Sequence, residues 1–372
     1  MPNQNKAMTP LKISKFDPTS YDKFDSKIAS QLAELIQQSY LQFDIAELEQ
    51  LFRDGIPISK RPTATSIRPW KIEGNYEAIA TLGTSKTPFG FVTKDGNNIY
   101  IVFRGTKKIA EWFKDANIQL VSYADGTSII NNQQVDMTKW QILENPIDFA
   151  STDISANIPN VNNFGYITAG FRGIYVSLRE QMINALNTIG VSSVSQIYVT
   201  GHSLGGALAT LAIPDILANS EFKKDKITLY TFASPRCGDS NFAEKFEKQG
   251  VKHWRIANTE DFVTTLPFPT GNVFKPADPT KDIDPETLPE KELGIGGVTG
   301  VDLNPNPIYG FFKAIYDRKK RRMPDYVHTG TPIYFTIHDK ALERHHNLEK
   351  VYMEGISETA LPPKNALDWL KQ

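Results

Sequence analysis

The stretch from Gln196 to Ile213 reads Gln-Ile-Tyr-Val-Thr-Gly-His-Ser-Leu-Gly-Gly-Ala-Leu-Ala-Thr-Leu-Ala-Ile, and few folds can accommodate it. Ile197, Tyr198, Val199 and Thr200 form a β-branched and aromatic run that predicts a buried strand. Leu204 to Ile213 predicts a helix, with Pro214 as its expected stop. Between them lies Gly201-His202-Ser203-Leu204-Gly205. A G-x-S-x-G sequence at a strand-to-helix junction is a nucleophile elbow: the serine occupies a strained turn, and the two glycines let strand and helix backbones pass too closely for a Cβ. Ser203 then stands at the carboxyl end of a strand and at the N-terminus of a helix, whose free N–H groups favour negative charge. The other reading of these five residues is a Gly-rich turn carrying a solvated serine.

The rest of the chain suits one large α/β unit. At 372 residues burial is not limiting, and a formal net charge of -1 gives no basic footprint for nucleic acid. Cys237 is the single cysteine, so neither an intramolecular disulfide nor a cysteine-built metal site is available. No cofactor or metal is expected. Met1 to Thr9 is polar and lacks the apolar core of a signal peptide, and no apolar run approaches the ~20 residues of a membrane span. These features predict a cytoplasmic protein or one that reaches a membrane surface peripherally.

Residues 1–74 read as a loose tail followed by helices that pack on the main domain. Ile28, Leu32, Leu35, Ile36 and Phe43 recur at helical spacing, and a second short helix is expected from Ile45 to Arg53. Glu77 to Leu82 and Pro88 to Thr93 predict strands, and Asp95-Gly96 a hairpin turn into Asn98 to Phe103. Residues 124–165 read as loops with one short strand at most. Phe171 to Leu186 predicts an amphipathic helix. A strand at Ile227 to Ala233, a helix around Phe242 to Lys248, a strand at Val251 to Ala257 and a last strand at Pro332 to Ile337 follow. Alternation on this scale implies a mostly parallel central sheet with helices on both faces, extending over residues 75–372 with an insertion at about 268–325.

A serine hydroxyl is a poor nucleophile at neutral pH, so Ser203 needs a general base, and the base needs an anion to hold its tautomer. In a doubly wound hydrolase the partners follow in the order Ser, Asp, His at the ends of later strands. Asp261, just past the strand ending at Ala257, is the candidate acid; Glu260 and Asp239 are the alternatives. After the last strand, His346 is the leading base, and its neighbour His345 is the alternative. His202, inside the elbow, cannot easily turn back on Ser203 and reads as packing beside the sheet. His253 reads as a core or edge residue. The oxyanion needs two donors: the backbone N–H of Leu204, and a group from Arg104-Gly105-Thr106 after the central strand, where Thr106 could add its hydroxyl.

Several blocks then match one family together. Val102-Phe-Arg-Gly-Thr106 with Trp112 and Asp115, Gly170-Phe171, Gly201 to Ala207, Phe232-Ala-Ser-Pro-Arg236 with Gly238, Asp261 to Pro267, Tyr326-Val-His328 and His346-Asn-Leu-Glu349 resemble, in order, the class 3 lipases. That family is typified by fungal triacylglycerol lipases and includes plant phospholipase A1 and galactolipase relatives. The resemblance covers roughly residues 75–352. It implies an α/β-hydrolase fold with a lid helix, a Ser203–Asp261–His346 triad and an oxyanion hole at Thr106 and Leu204. It also implies a serine hydrolase of acyl lipid esters, whether triacylglycerol, phospholipid or galactolipid. The chain departs from the family at Thr168, where a histidine is common, in its longer stretch between Asp261 and His346, and in lacking the disulfides of the secreted fungal members.

Ile109, Trp112, Phe113 and Ala116 fall at i, i+3, i+4 and i+7, so residues 107–117 predict an amphipathic helix that suits a lid. Exposing Ile109, Trp112 and Phe113 to water costs about 1.5–3 kcal/mol each, a cost a lipid surface removes. This predicts transient contact with a membrane or lipid droplet; a fixed core helix is the alternative. Ile308 to Arg322, an apolar stretch ending in Arg318-Lys-Lys-Arg-Arg322, is a second candidate contact or a solvated helix end. Competing readings of the whole are a soluble carboxylesterase and a non-catalytic hydrolase-fold binding module. The sequence leaves the oligomeric state open.

Overall fold

A computed structural model describes residues 23–53, 72–83, 87–106, 120–128, 156–267, 326–337 and 342–357. The expected lid helix with Ile109, Trp112 and Phe113, the 268–325 insertion and the Arg318–Arg322 run lie outside the described residues.

Seven strands build the main sheet: β1 (Glu77–Gly83), β2 (Pro88–Asp95), β3 (Asn98–Phe103), β6 (Gln196–His202), β7 (Ile227–Phe232), β9 (Lys252–Asn258) and β11 (Thr331–Phe335). They lie side by side in that order. The β1–β2 and β2–β3 pairs are antiparallel, and every pairing from β3 to β11 is parallel. The Asp95-Gly96 turn closes the β2–β3 hairpin with Gly96 at φ 55°, the left-handed backbone that glycine tolerates. A smaller sheet runs β10 (Tyr326–Val327), β8 (Gly238–Asp239), β5 (Tyr166–Thr168) and β4 (Leu120–Ser122). Its strands are two or three residues long, too short for periodicity to reveal.

Alternation along the strands gives the main sheet two apolar faces. Ile99, Ile101, Phe103, Ile197, Val199 and Leu229 point to one, which is covered by α2 (Ala169–Asn187), α3 (Leu204–Asn219) and α4 (Ser240–Gln249). Tyr100, Val102, Tyr230, Phe232, Trp254 and Ile256 point to the other, covered by α1 (Ser26–Arg53) and the C-terminal helical turns. A mostly parallel sheet with helices on both faces and an elbow after the strand β6 is the α/β-hydrolase fold.

Two helix boundaries differ from the sequence reading. The helices expected at 28–43 and 45–53 are one continuous α1, because nothing between Phe43 and Ile45 breaks the backbone pattern. The elbow helix runs through Pro214 to Asn219. An internal proline costs about 3 kcal/mol, but Ile213 and Ile216 on either side are fully buried. Asp215, also fully buried, accepts from Arg179 at 2.8 and 2.9 Å, from Tyr175 Oη at 2.6 Å and from Asn219 at 2.7 Å. Burial and this clamp onto α2 outweigh the proline.

Candidate active site

The parallel register brings the ends of β3, β6, β7, β9 and β11 to one edge: Phe103 pairs with Gly201, His202 with Phe232, Phe232 with Ile256, and Ile256 with Ile333. Every candidate site residue follows one of these strands. Ser203 has φ 59° and ψ −126°, a conformation that costs a non-glycine residue of order 1–3 kcal/mol. The surroundings over-determine it. A Cβ on Gly201 would strike the Gly205 carbonyl, and one on Gly205 would strike the carbonyls of Phe103 and Arg104. The strained backbone holds the serine where strand ends and helix begins, with the Leu204 N–H in the first helical turn, where no intrahelical carbonyl reaches it.

Asp261 follows β9 and is 1% exposed. Its Oδ1 accepts the Val263 N–H at 3.0 Å, and its Oδ2 lies 2.8 Å from His346 Nδ1. A carboxylate only accepts, so the imidazole donates from Nδ1, and in the neutral ring Nε2 is the acceptor. Tyr352 Oη donates to the same Oδ2 at 2.6 Å and in turn accepts the Asn258 N–H at 3.1 Å. Burial and the neighbouring carboxylate push the Tyr352 phenol well above its usual range, so it stays a donor. The other candidates lie elsewhere. Asp239 caps α4, accepting from Phe242 N at 2.8 Å and Tyr166 N at 3.0 Å. His345 presents its carbonyl to Asn258.

Ser203 Oγ and His346 Nε2 are both buried and make no hydrogen bond among the described residues. They are the two atoms that the order of partners would join, and unliganded sites often leave this bond unformed. Thr106 is buried after β3, and the adjoining Gly105 packs so closely that a Cβ there would sit 2.8 Å from Ser203 Cβ and 2.7 Å from the His202 carbonyl. The loop carrying Thr106 therefore lies against the nucleophile. Among the described residues no group of three His, Cys, Asp or Glu is placed to hold a metal ion.

His202 has more contacts than its sequence position suggests. Its Nε2 is 2.9 Å from the His346 carbonyl and its Nδ1 is 2.9 Å from Tyr40 Oη on α1. Its ring stacks obliquely on that of His346, with centroids 4.7 Å apart. Burial, with the His346 ring adding to it, lowers the His202 pKa well below the usual histidine value and keeps the ring neutral. Tyr40 and Tyr352 carried no signal of their own in the sequence; Tyr40 reaches the site from α1, 162 residues before His202, and Tyr352 from the helical turn Leu348–Met353 that follows His346.

Fold and site together define an α/β-hydrolase fold in which Asp261 and His346 are hydrogen-bonded at the sheet edge that carries Ser203. Residues 100–271 match the family model described as Lipase (class 3). The chain is 30% identical over 179 residues to a chloroplastic phospholipase A(1) of Arabidopsis thaliana, covering 46% of this chain and 34% of that protein. It is 29% identical over 171 residues to a lipase of Rhizomucor miehei, covering 45% of this chain and 37% of that one. The crystal structure of the Rhizomucor miehei triacylglyceride lipase aligns at 22% identity with a TM-score of 0.43, covering 66% of this chain and 76% of that one. The chain thus spans less than half the length of the curated relatives it matches here. His346, Tyr352 and Tyr40 all lie outside the matched segment.

Proposed function

We propose that this chain is a serine hydrolase that cleaves carboxylic esters of acyl lipids. The observation that carries the reading is the Asp261–His346 hydrogen bond of 2.8 Å, formed between the segments that follow β9 and β11, at the sheet edge where β6 ends in Ser203. In the proposed reaction Ser203 Oγ attacks the ester carbonyl carbon while His346 Nε2 takes the hydroxyl proton, and Asp261 holds the ring and stabilises its positive form. The carbonyl oxygen becomes an oxyanion facing the Leu204 N–H and the Thr106 group, each donor contributing on the order of 3 kcal/mol. The C–O bond to the alcohol breaks as His346 returns the proton to it. Water then attacks the acyl-enzyme, with His346 again the base, and the carboxylic acid leaves.

The acyl-lipid substrate rests on the family match and on relatives whose names are lipase and phospholipase A(1). Transient contact with a lipid surface, through the apolar residues Ile109, Trp112 and Phe113, is part of the proposal. Among the described residues no helix is long and apolar enough to cross a membrane.

The test is hydrolysis of esters of increasing acyl length, below and above the aggregation threshold of each, by the intact chain and by Ser203→Ala. Activity that needs Ser203 and rises when substrate aggregates is expected. Equal rates on dissolved and aggregated esters would shift the assignment to a soluble carboxylesterase. Equal rates for the two proteins would remove the catalytic reading and leave a binding module.

A further inference from the structure

The N-terminal helix α1 lies outside the matched family segment, yet it touches the loop proposed to stabilise the oxyanion. The Gly105 N–H donates to Tyr40 Oη at 3.0 Å, and Tyr40 Oη is 2.9 Å from His202 Nδ1. His202 Nε2 faces the His346 carbonyl at 2.9 Å. A carbonyl can only accept, so Nε2 carries the ring proton, Nδ1 is bare, and the Tyr40 hydroxyl must donate to it. The hydrogen bonds therefore run in one direction, from Gly105 N–H through Tyr40 and His202 to the backbone of His346.

A second contact comes one helical turn later. The Arg104 guanidinium lies over the Phe43 ring, 3.8 Å from its centroid, and 4.7 Å from that of Phe89. Arg104 also donates at 2.7 Å to the Pro88 carbonyl and at 2.7 Å to the Gly105 carbonyl. Residues i and i+3 of a helix share a face, so Tyr40 and Phe43 grip residues 104 and 105 from the same side.

Resting on the hydrolase reading above, we propose that Tyr40 is a positioning residue that sets the oxyanion loop against Ser203 and ties it to the catalytic histidine's backbone. Because the Gly105 N–H is committed to Tyr40, the loop's donor for the oxyanion falls to Thr106. The helix thus takes part in transition-state stabilisation without touching substrate.

The experiment compares matched ester and thionoester substrates. An oxyanion hole built for oxygen discriminates against the longer, weakly accepting C=S group, so damage to the hole compresses the ester-to-thionoester rate ratio. Loss of folded protein or of affinity lowers both rates together and leaves the ratio alone. In Tyr40→Phe, which keeps the ring and removes the hydroxyl, kcat for the ester is expected to fall about tenfold or more with KM little changed. The ester-to-thionoester ratio is expected to fall with it. Phe43→Leu, which loosens the same loop from its other contact, is expected to move the ratio in the same direction by less, and it carries the test if Tyr40→Phe does not fold. An unchanged ratio in the folded variants, with activity abolished in Ser203→Ala, overturns this inference alone. Hydrolysis that does not need Ser203 overturns the hydrolase reading and this inference with it.

Discussion

Tyr352 Oη and His346 Nδ1 donate to the same oxygen of Asp261, Oδ2, at 2.6 and 2.8 Å. The carboxylate is thereby fixed in rotation by three donors, since Val263 N–H holds its other oxygen. Tyr352→Phe removes one of them and also strips the Asn258 N–H, at the end of β9, of its acceptor. Leaving a buried donor unpaired costs about 1–3 kcal/mol, and a looser Asp261 orients His346 less well. We expect urea unfolding to show a loss of that size, and kcat to fall about tenfold while KM holds, a milder loss than removal of the acid itself would cause.

The elbow predicts a contrast between two glycines. At Gly205 an added Cβ meets backbone carbonyls of Phe103 and Arg104, neither of which can swing aside. Gly205→Ala should destabilise by several kcal/mol, of the order of about 3–5, and yield little soluble protein. Gly96, in the hairpin at φ 55°, has nothing within 4 Å of an added Cβ. Gly96→Ala should cost only about 1 kcal/mol of backbone strain and leave activity intact. Thermal melts of the two variants side by side check both statements.

Three histidines, His202 and His253 buried and His328 partly buried, make stability sensitive to acid. Burial, reinforced by the Arg255 cation, lowers His253 to about 3, and burial lowers His202 and His328 in the same direction. The folded protein keeps these rings neutral while the unfolded chain protonates them near the ordinary value of about 6.5. Their contribution is therefore present above pH 6.5 and is lost as pH falls below it, for His253 over the range down to about 3. The slope approaches about 1.4 kcal/mol per pH unit for each ring. Urea unfolding at pH 7 and at pH 5 should show a loss of about 2 kcal/mol from His253, with His202 and His328 adding to it in the same direction. His253→Gln, which removes one of the three, should flatten the pH dependence by one ring's share even though its baseline stability is lower.

The sequence shows some parts of this molecule plainly and hides others for physical reasons. The elbow, the parallel strands and the order of serine, acid and histidine are legible because they depend on local periodicity and on the direction of the chain through the sheet. Whether His345 or His346 serves as the base is not legible that way. The two are consecutive in a short 3-10 helix, Leu342–His346, and successive residues there point in different directions. Beyond the resemblance, which implies His346, the contact with Asp261 separates them. Tyr40 and His202 are 162 residues apart, and no spacing rule connects them. His202 reads as packing from the sequence because the elbow turns its ring away from Ser203. The same turn delivers the ring to Tyr40 and to the His346 backbone. Pro214 misleads for a related reason, since its local penalty is offset by burial that only the assembled sheet provides.

Asp261 and His346 are 85 residues apart along the chain, yet β11 runs parallel to β9 and returns the second to the first. The entropy of closing such an excursion grows only with the logarithm of its length, so doubling it costs about 0.6 kcal/mol. One hydrogen bond of ordinary strength offsets that. Sequence between Pro267 and Tyr326 can thus be gained or lost at small entropic cost while β9 and β11 keep the distance between Asp261 and His346.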